Sequence, residues 1–233
     1  MGSPRVGVVT GLASEAAVVD GLLGEDVSSV RVVCAGASAA RAAVLARRLV
    51  DAGVNALISF GIAGALDPRL ESGDLVVAKD VLTDDADCYA CDSDWQEAVR
   101  SALAEVRLPC RHGLILGSKR LWRAPDDKEV LFGTTGCLAV DMESGAVGAI
   151  AAEAGLAFLA VRAIADRAQD SLPSLVENAL KPDGRPAIGR ALAALARRPS
   201  EIPAALRLAR QSELALARLR TLEAVKDALF GGF

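Results

Sequence analysis

Four acidic side chains follow predicted strands, at places where carboxylates can do chemistry. Asp141 and Glu143 lie on either side of Met142 in AVDMESGAVGAI, where an apolar strand gives way to small residues. Glu15 in VVTGLASEAAVV and Asp166 in VRAIADRAQD each lie just beyond the carboxyl end of another predicted strand. If the relevant strands run the same way, these acids open on one rim of the sheet. Carboxylates placed there act as general acids or bases, or stabilise a developing positive charge.

A simpler interpretation applies to Asp141 and Glu143 taken alone. Acids are favoured at helix N-termini by the helix dipole, which contributes about 0.3 to 1 kcal/mol. The matching acids at positions 15 and 166 favour the catalytic interpretation instead.

Short apolar runs alternate with alanine-rich stretches at helical spacing along the chain. The predicted strands are RVGVVT, VRVVCA, NALISF, DLVVAKDVL, HGLILG, CLAV and AFLAVRAI. Several are apolar at nearly every position, as strands covered on both faces must be. The pattern predicts an α/β protein with a largely parallel or mixed sheet. With 233 residues, the chain is predicted to form a single domain, 1–233.

Serines mark three predicted helix starts. Ser14, Ser38 and Ser93 stand where a side-chain oxygen caps a helix, and SDWQ fits a capping box that pairs Ser93 with Gln96. The helix that follows Ser93 is predicted to be amphipathic, with its apolar stripe in the core.

Composition and charge exclude several classes of protein. A formal net charge of −4 and 3% aromatic residues argue against nucleic-acid binding, which uses basic patches and stacking side chains. The five cysteines are odd in number and the first residues lack a signal-peptide apolar segment, so we expect a reduced, cytoplasmic protein. Charged residues interrupt the most hydrophobic region before it reaches the length of about eighteen residues that a membrane span needs.

The stretch CYAC has the spacing of a redox or metal site. Its Cys88 and Cys91 have no second CxxC to pair with, and His112 is the only histidine in the sequence. We therefore expect no metal and no cofactor, and we interpret the stretch as a loop with two incidental thiols. The role of the two cysteines stays open.

The stretch SFGIAGALDP follows the third predicted strand. Its Gly61 and Gly64 allow the backbone to approach a ligand closely, although tight packing of strand and turn explains them equally well. The stretch is neither a dinucleotide-binding GxGxxG nor a P-loop, because it lacks the GK[ST] ending.

The chain from residue 181 to 233 differs in composition from the rest. It has ten basic and five acidic residues, which gives this tail a net charge of +5 and the remainder −9. Prolines at 182, 186, 199 and 203 are predicted to divide it into short helices, the last with Leu214, Leu219, Leu222, Val225 and Leu229. The tail is interpreted as a helical layer packed on the sheet. The alternative is a basic amphipathic surface that contacts anionic lipid or an amphiphilic substrate.

Taken in order, these motifs resemble the nucleoside phosphorylase and nucleosidase superfamily, which includes methylthioadenosine/S-adenosylhomocysteine nucleosidase and the purine nucleoside phosphorylases. The resemblance rests on the loop with Glu15, FGIAGAL, GLILGS, VDMES and VRAIAD, and so covers nearly the whole chain. The tail, PDGRPAIGRALAALARRPSEIPAALRLAR, resembles the hopanoid-associated phosphorylase branch. The resemblance implies a three-layer α/β/α fold with a mixed, mostly parallel central sheet. It also implies release of adenine from a 5′-substituted adenine nucleoside, with adenosylhopane as the candidate substrate in hopanoid biosynthesis.

The resemblance also implies roles for individual residues. Glu15 would activate the attacking water, and Asp166 would place a proton on N7 of the purine. Glu143 would hold the ribose hydroxyls while Met142 packs against the sugar. Substrate-binding positions are expected at Gly64, Leu121, Trp122, Met142 and Glu143.

Water is the predicted nucleophile. The sequence has Leu12, Ala13 and Phe60 where the phosphorolytic relatives would have phosphate-binding arginines, and Glu15 would repel phosphate. The branch name favours phosphorolysis, and Arg41 or the helix N-terminus at Ser38 remains an alternative anion site.

Two further alternatives stay open. One is a phosphorylase for ordinary purine nucleosides, and the other is an α/β module that binds a nucleoside or lipid without chemistry. Superfamily members commonly form dimers or larger assemblies, so a homo-oligomer is expected. The basic tail is a candidate for peripheral membrane contact.

Overall fold

A computed structural model describes residues 6–24, 29–178, 181, 183–185 and 187–233. The predictions that fall on Arg5, Pro182 and Pro186 lie outside these residues. Within them the strands are β1 Val6–Thr10, β2 Val30–Cys34, β3 Ala56–Ala65, β4 Leu75–Thr83, β5 Cys88–Ala90, β6 Cys110–Gly117, β7 Ala139–Asp141 and β8 Ala157–Ile164. Seven of them overlap the predicted runs, and β5 is the addition. β3 extends five residues beyond the predicted run NALISF, so Gly61 and Gly64 lie within the strand and not after it.

The strands form one mixed sheet. Its order is β2-β1-β3-β7-β6-β4-β5, and β8 pairs with both β3 and β4. Five pairings are parallel, namely β1 with β2, β1 with β3, β3 with β8, β4 with β6 and β6 with β7. The antiparallel pairings are β3 with β7, β4 with β5 and β4 with β8. The predicted mixed, mostly parallel sheet is confirmed.

The pairings close a ring that the sequence did not predict. β3 pairs with β8, β8 with β4, β4 with β6, β6 with β7, and β7 returns to β3. The ring closes because β3 is long: its first part, Ala56–Ala63, pairs with β8, and its last residues pair with β7. The residues that follow β7 therefore lie near the carboxyl ends of β3 and β8.

Helices cover both faces of the sheet. They are α1 Ala13–Leu23, α2 Ala39–Asp51, α3 Ser93–Glu105, α4 Pro125–Thr135, α5 Ser144–Ala154, α6 Ile188–Arg197, α7 Ile202–Arg220 and α8 Lys226–Gly231. Short 3-10 turns lie at Ser174–Asn178, Pro199–Glu201 and Thr221–Val225. One apolar core joins α1, α3, α7 and α8 to the sheet, and a second joins α2 and α5 to its other face. The three-layer α/β/α prediction is therefore confirmed.

The predicted N-caps are only partly right. Ser38 caps α2 and accepts a hydrogen bond from the Arg41 N–H. Ser14 lies inside α1, because the chain enters that helix directly from the loop at Leu12. α3 is capped by Asp92, one residue before Ser93, because the Asp92 carboxylate accepts from the Trp95 N–H.

The tail forms a helical layer, but not one made only of short helices. α7 runs for 19 residues and packs on α1, β3 and β8. Pro203 is in its first turn, where proline is tolerated because its missing N–H has no intrahelical partner in any case. Leu219, Leu222, Val225 and Leu229 are buried, whereas Leu214 is 57% exposed. Across the described residues, no helix combines the length and the apolar character that crossing a membrane requires.

Candidate active site

The four acids singled out in the sequence, Glu15, Asp141, Glu143 and Asp166, all line one cavity of about 260 Å³. Glu15 lies in the first turn of α1 after β1, Glu143 lies between β7 and α5, and Asp166 follows β8. They converge because β1 and β8 both run parallel to β3, so their carboxyl ends reach the same side. Gly64, Leu121 and Met142 also line this cavity.

Backbone amides hold the Glu15 carboxylate. Its Oε2 accepts from the N–H groups of Gly11 and Leu12, and its Oε1 accepts from the Ile62 N–H, each at 2.8 Å. Leu12 is the N-cap of α1 and Glu15 is its third residue, so the contact with Leu12 is half of a capping box. Burial raises the pKa of Glu15, although the three amides and the charge of Arg162 oppose the rise. The side chain is thus fixed in orientation and takes up a proton more readily than an exposed glutamate.

Glu143 has one carboxylate oxygen without a partner. Its Oε1 is buried and receives no hydrogen bond from the described residues. A Cβ atom at Gly11 would lie 2.8 Å from that oxygen, so the glycine provides the space that it occupies. Burial, reinforced by the charges of Asp141 and Glu15, raises the pKa of Glu143 to about 8. Because buried polar atoms are nearly always paired, this oxygen is the natural acceptor for a ligand hydroxyl.

Asp141 builds the site and has no oxygen left for a ligand. Its Oδ1 accepts from the Glu143 N–H at 2.9 Å and from the N–H and Oγ–H of Ser144 at 2.8 Å. Its Oδ2 accepts from Arg162 Nε at 2.8 Å, in an ion pair with both side chains 1% exposed. Asp141 therefore orients the backbone that carries Glu143 and anchors a buried cation behind it. The simpler interpretation of a helix-terminal acid fits Asp141, but not Glu143.

Asp166 is paired with a buried lysine. The Lys128 Nζ atom of α4 lies 2.6 Å from Asp166 Oδ2, with side-chain exposures of 0% and 9%. Burial raises the pKa of Asp166, and the Lys128 ammonium group opposes that rise. The acid therefore combines an apolar setting with one strong cationic partner.

The two glycines of SFGIAGALDP each lie against one of these acids. A Cβ atom at Gly61 would be 2.6 Å from Glu15 Cδ, and one at Gly64 would be 3.1 Å from Asp166 Oδ2. Heavy atoms essentially never approach a real Cβ closer than 3.0 Å, so Gly61 is required by the carboxylate beside it. Both glycines belong to the half of β3 that reaches the cavity.

A smaller recess of about 40 Å³ adjoins the cavity. Its lining includes Gly64, Arg120, Leu121, Trp122, Met142 and Asp166. The Trp122 indole donates from Nε1 to Ser118 Oγ at 2.9 Å, and the Arg120 guanidinium stacks on its ring at 3.6 Å. The recess thus places Asp166 beside a shallow, partly aromatic wall, and it includes the remaining predicted site residue, Trp122.

Much of the cavity lining is apolar. It includes Leu172, Leu175, Val176 and Leu208, the last of these from α7, and Leu172 also lines the recess. None of the described residues that line the cavity is an arginine or a lysine. The alternative anion ligand, Arg41, lies outside this lining and donates from Nε to the Ala35 carbonyl.

The thiols show no sign of shared chemistry. All five cysteines are free, Cys88 is exposed, and burial raises the pKa of Cys91 to about 12. Among the described residues, His, Cys, Asp and Glu form no group of three that could hold a metal ion.

A family model of the phosphorylase superfamily matches residues 13–198, which is most of the chain. The chain belongs to the phosphorylase superfamily. This agrees with the resemblance drawn from the motifs, while the hopanoid-associated branch stays a prediction. The matched span contains every one of the seven predicted site residues.

Comparison with individual proteins gives one sequence relative and two solved structures of similar fold. This chain is 28% identical over 143 residues to a 5′-methylthioadenosine/S-adenosylhomocysteine nucleosidase of Marinomonas sp. (strain MWYL1). The matched residues cover 54% of this chain and 62% of that relative. The enzyme of that name from Neisseria meningitidis, solved with methylthio-immucillin-A, superposes with a TM-score of 0.73 at 17% identity over 96% and 99% of the two chains. Futalosine hydrolase of Helicobacter pylori gives a TM-score of 0.70 at 15% identity over 96% and 98%. These two structures show a shared fold.

Two residues of the site, Arg162 and Lys128, were not predicted from the sequence. Arg162 had a signal, because a charged residue inside the apolar run AFLAVRAI needs a buried partner. Lys128 had none, since it lies in the charged stretch PDDKE, which is typical of an exposed helix.

Proposed function

We propose that this protein cleaves the N-glycosidic bond of an adenine nucleoside with an apolar 5′-substituent, releasing adenine by hydrolysis. The observation that carries the proposal is the convergence of Glu15, Glu143 and Asp166 on one cavity. The name of the Marinomonas relative, a nucleosidase for 5′-substituted adenosines, supports the same reaction.

The reaction balances with the groups present. The C1′–N9 bond breaks with its electron pair going to the purine, and Asp166 gives its proton to N7. The sugar, now resembling an oxocarbenium ion, bonds to the oxygen of a water whose proton passes to Glu15. Exchange with solvent then returns a proton to Asp166 and removes one from Glu15. Raised pKa values suit both acids, since Asp166 must hold a proton and Glu15 must accept one.

Glu143 serves the sugar in this scheme. Its unpartnered Oε1 would accept hydrogen bonds from ribose hydroxyls. Met142 would pack against the ribose, since it lines both the cavity and the recess. Gly64, Leu121 and Trp122 would form the wall against which the purine lies.

The 5′-substituent would pack against the apolar part of the lining formed by Leu175, Val176 and Leu208. Small-molecule pockets usually measure about 300 to 1,000 Å³. The cavity of about 260 Å³ lies just below that range, so a lipid substituent would extend beyond it. Adenosylhopane, in hopanoid biosynthesis, is the specific substrate that we propose on the resemblance of the tail.

Water is the proposed nucleophile because a phosphate dianion needs charge-assisted donors. The described cavity lining provides acids and apolar groups where such donors would have to be. Glu15 would repel the dianion from the place where the nucleophile must approach.

The deciding experiment is incubation with adenosine, 5′-methylthioadenosine and 5′-alkylated adenosines of increasing length, with inosine for comparison, scored for free base. We expect adenine release that favours the apolar 5′-groups, with ribose and not ribose 1-phosphate formed when phosphate is added. Glu15→Gln and Asp166→Asn should each lower kcat by about 10² to 10⁴, the usual contribution of a general acid or base. Glu97→Gln, at an exposed position on α3, is the matched control.

Other outcomes would replace the proposal with a named alternative. Ribose 1-phosphate formed in proportion to phosphate would establish phosphorolysis. Tight nucleoside binding without base release, and unchanged by Glu15→Gln, would establish a non-catalytic binding module.

We further propose a single domain across the chain, cytoplasmic, homo-oligomeric and in peripheral contact with anionic membranes. The tail supports the last point with leucines on α6 and α7 that are 57 to 62% exposed: Leu192, Leu206 and Leu214. Arg207 and Arg198 lie among them with side chains 50 and 63% exposed. Basic helices of this type bind anionic lipid surfaces. Co-sedimentation with anionic but not zwitterionic vesicles, weakened by Leu206→Glu, tests the contact, and light scattering tests the assembly.

A further inference from the structure

Lys128 lies fully buried on α4 behind Asp166. Its Nζ atom has three acceptors: Asp166 Oδ2 at 2.6 Å, and the carbonyl oxygens of Arg167 and Asp170 at 3.1 Å each. An ammonium group has three N–H donors and no acceptor, so this environment matches the charged form of lysine. Every proton of the group is used.

The arrangement fixes the Asp166 carboxyl group from two sides. Lys128 occupies Oδ2, while on the side of β3 a Cβ at Gly64 would lie only 3.1 Å from Oδ2 and 3.2 Å from Oδ1, so a side chain there would crowd the carboxyl group. Asp166 lines the cavity and its recess. Because Lys128 takes Oδ2, the other oxygen is the one left for a ligand.

Burying a lysine in this way needs a reason. Desolvation of an ammonium group costs several kcal/mol, and a buried ion pair is often no more stabilising than apolar residues of the same volume. The pair is therefore weak evidence for stability and stronger evidence for a function at Asp166.

We infer that Lys128 is a positioning residue for the proton transfer by Asp166, holding Oδ2 so that the proton leaves from Oδ1 toward the purine. The inference rests on the proposed function. Lys128 neither touches the substrate nor gives up a proton in the balanced step, in which the Oδ1–H bond breaks and the N7–H bond forms.

The charged groups near Asp166 set the pH response. Lys128 lowers the pKa of Asp166, whereas burial and the charge of Asp170 raise it. Arg167 is paired with Asp170 and Glu71, and Glu15 and Glu143 face Asp166 only across the cavity. Removing Lys128 removes the charge that lowers the pKa of Asp166, so Asp166 should retain its proton to higher pH. The alkaline limb of the rate profile should move in the same direction.

The test is a comparison of full-length wild type, Lys128→Met and Asp166→Asn, with adenine release from 5′-methylthioadenosine measured from pH 5 to 10. For Lys128→Met we expect kcat to fall about 10- to 100-fold with KM nearly unchanged, since a misplaced group of this kind costs on that order. The alkaline limb should move up by about one pH unit or more, the effect of losing a close opposite charge. Lys79→Met, at an exposed position on β4, is the matched control.

A double variant separates positioning from a merely structural role. If Lys128 acts through Asp166, then Lys128→Met should lower kcat no further in the Asp166→Asn background. Lys128→Gln keeps a donor to Oδ2 but no charge, so it should move the alkaline limb with a smaller loss in kcat. It also tests the inference if Lys128→Met fails to fold.

Two results have different meanings. An inactive Asp166→Asn together with an unmoved alkaline limb in Lys128→Met or Lys128→Gln would overturn the inference and leave the proposed function intact. A fully active Asp166→Asn would overturn the proposed role of the acid itself.

Discussion

Replacement of Gly61 by alanine should disable Glu15 without touching it chemically. The added Cβ would lie 2.6 Å from Glu15 Cδ and Oε1 and 2.7 Å from Oε2. An ordinary contact needs about 3.4 Å or more, so the carboxylate must move by about 0.8 Å. The three 2.8 Å bonds from Gly11, Leu12 and Ile62 leave it no other position with the same donors.

A displacement on the order of 1 Å costs about 10²-fold in rate, and complete loss of a general base costs about 10² to 10⁴. We therefore expect kcat/KM for Gly61→Ala to fall about 10²- to 10³-fold, which is about 2.7 to 4 kcal/mol of transition-state stabilisation. Overpacking should also lower the free energy of unfolding by about 1 to 3 kcal/mol.

The assay is adenine release from 5′-methylthioadenosine, with urea unfolding as the measure of stability. Gly21→Ala is the control, because Gly21 lies in the same helix as Glu15 and a Cβ there meets no atom within 4 Å. This control should keep full activity and gain up to about 1 kcal/mol of stability, as alanine does over glycine in a helix. A folded Gly61→Ala with wild-type kcat/KM would show that the position of the Glu15 carboxylate does not matter.

Three further predictions concern the neighbouring charges. Burial raises the pKa of Glu143 to about 8 in the folded protein, whereas an unfolded glutamate has its ordinary pKa of about 4.5, so the free energy of unfolding should fall as pH rises between these two values. Glu143→Gln should flatten that fall in urea midpoints measured from pH 5 to 8, and an unchanged slope would contradict the assignment. Arg162→Met should lower the free energy of unfolding by about 3 to 5 kcal/mol, because it leaves the Asp141 carboxylate buried without its cation. A loss below 1 kcal/mol by urea unfolding would refute this. Gly11→Ala should raise KM for nucleosides because its Cβ would crowd Glu143 Oε1 at 2.8 Å, and an unchanged KM by initial-rate kinetics would argue against a sugar site there.

Much of this architecture could be predicted from sequence, because local pattern determines it. Seven strands were visible as apolar runs between helical stretches, and the positions of Glu15, Glu143 and Asp166 after strands implied a common rim. The closure of the ring was not visible, because it depends on β3 being long enough to change partners from β8 to β7. The predicted first residues of α1 and α3 were wrong for a similar reason, since the loop at Leu12 and the cap at Asp92 are set by tertiary contacts.

The partners of the acids were harder to predict than the acids themselves. Lys128 lies 38 residues before Asp166, and its stretch PDDKE has the composition of an exposed helix start. Asp141 looked equivalent to Glu143 in sequence, yet its carboxylate is paired with the Glu143 amide, Ser144 and Arg162. Only spatial placement separates an acid whose two oxygens both have partners from one with an unpartnered oxygen.

The three carboxylates share one cavity but differ in what compensates each for burial. Glu15 receives three backbone amides, Asp166 receives a lysine, and Glu143 has an oxygen that receives nothing from the described residues. Fixed dipoles at Glu15 let it gain or lose a proton without moving, as a base must. A full positive charge at Asp166 favours release of its proton once a purine nitrogen can take it. The unpartnered oxygen of Glu143 favours a ligand with hydroxyl donors, so a bound ribose would supply the hydrogen bond that this oxygen lacks. Different partners in one apolar cavity thus assign different tasks to chemically similar groups, which is the means by which environment sets acid and base roles.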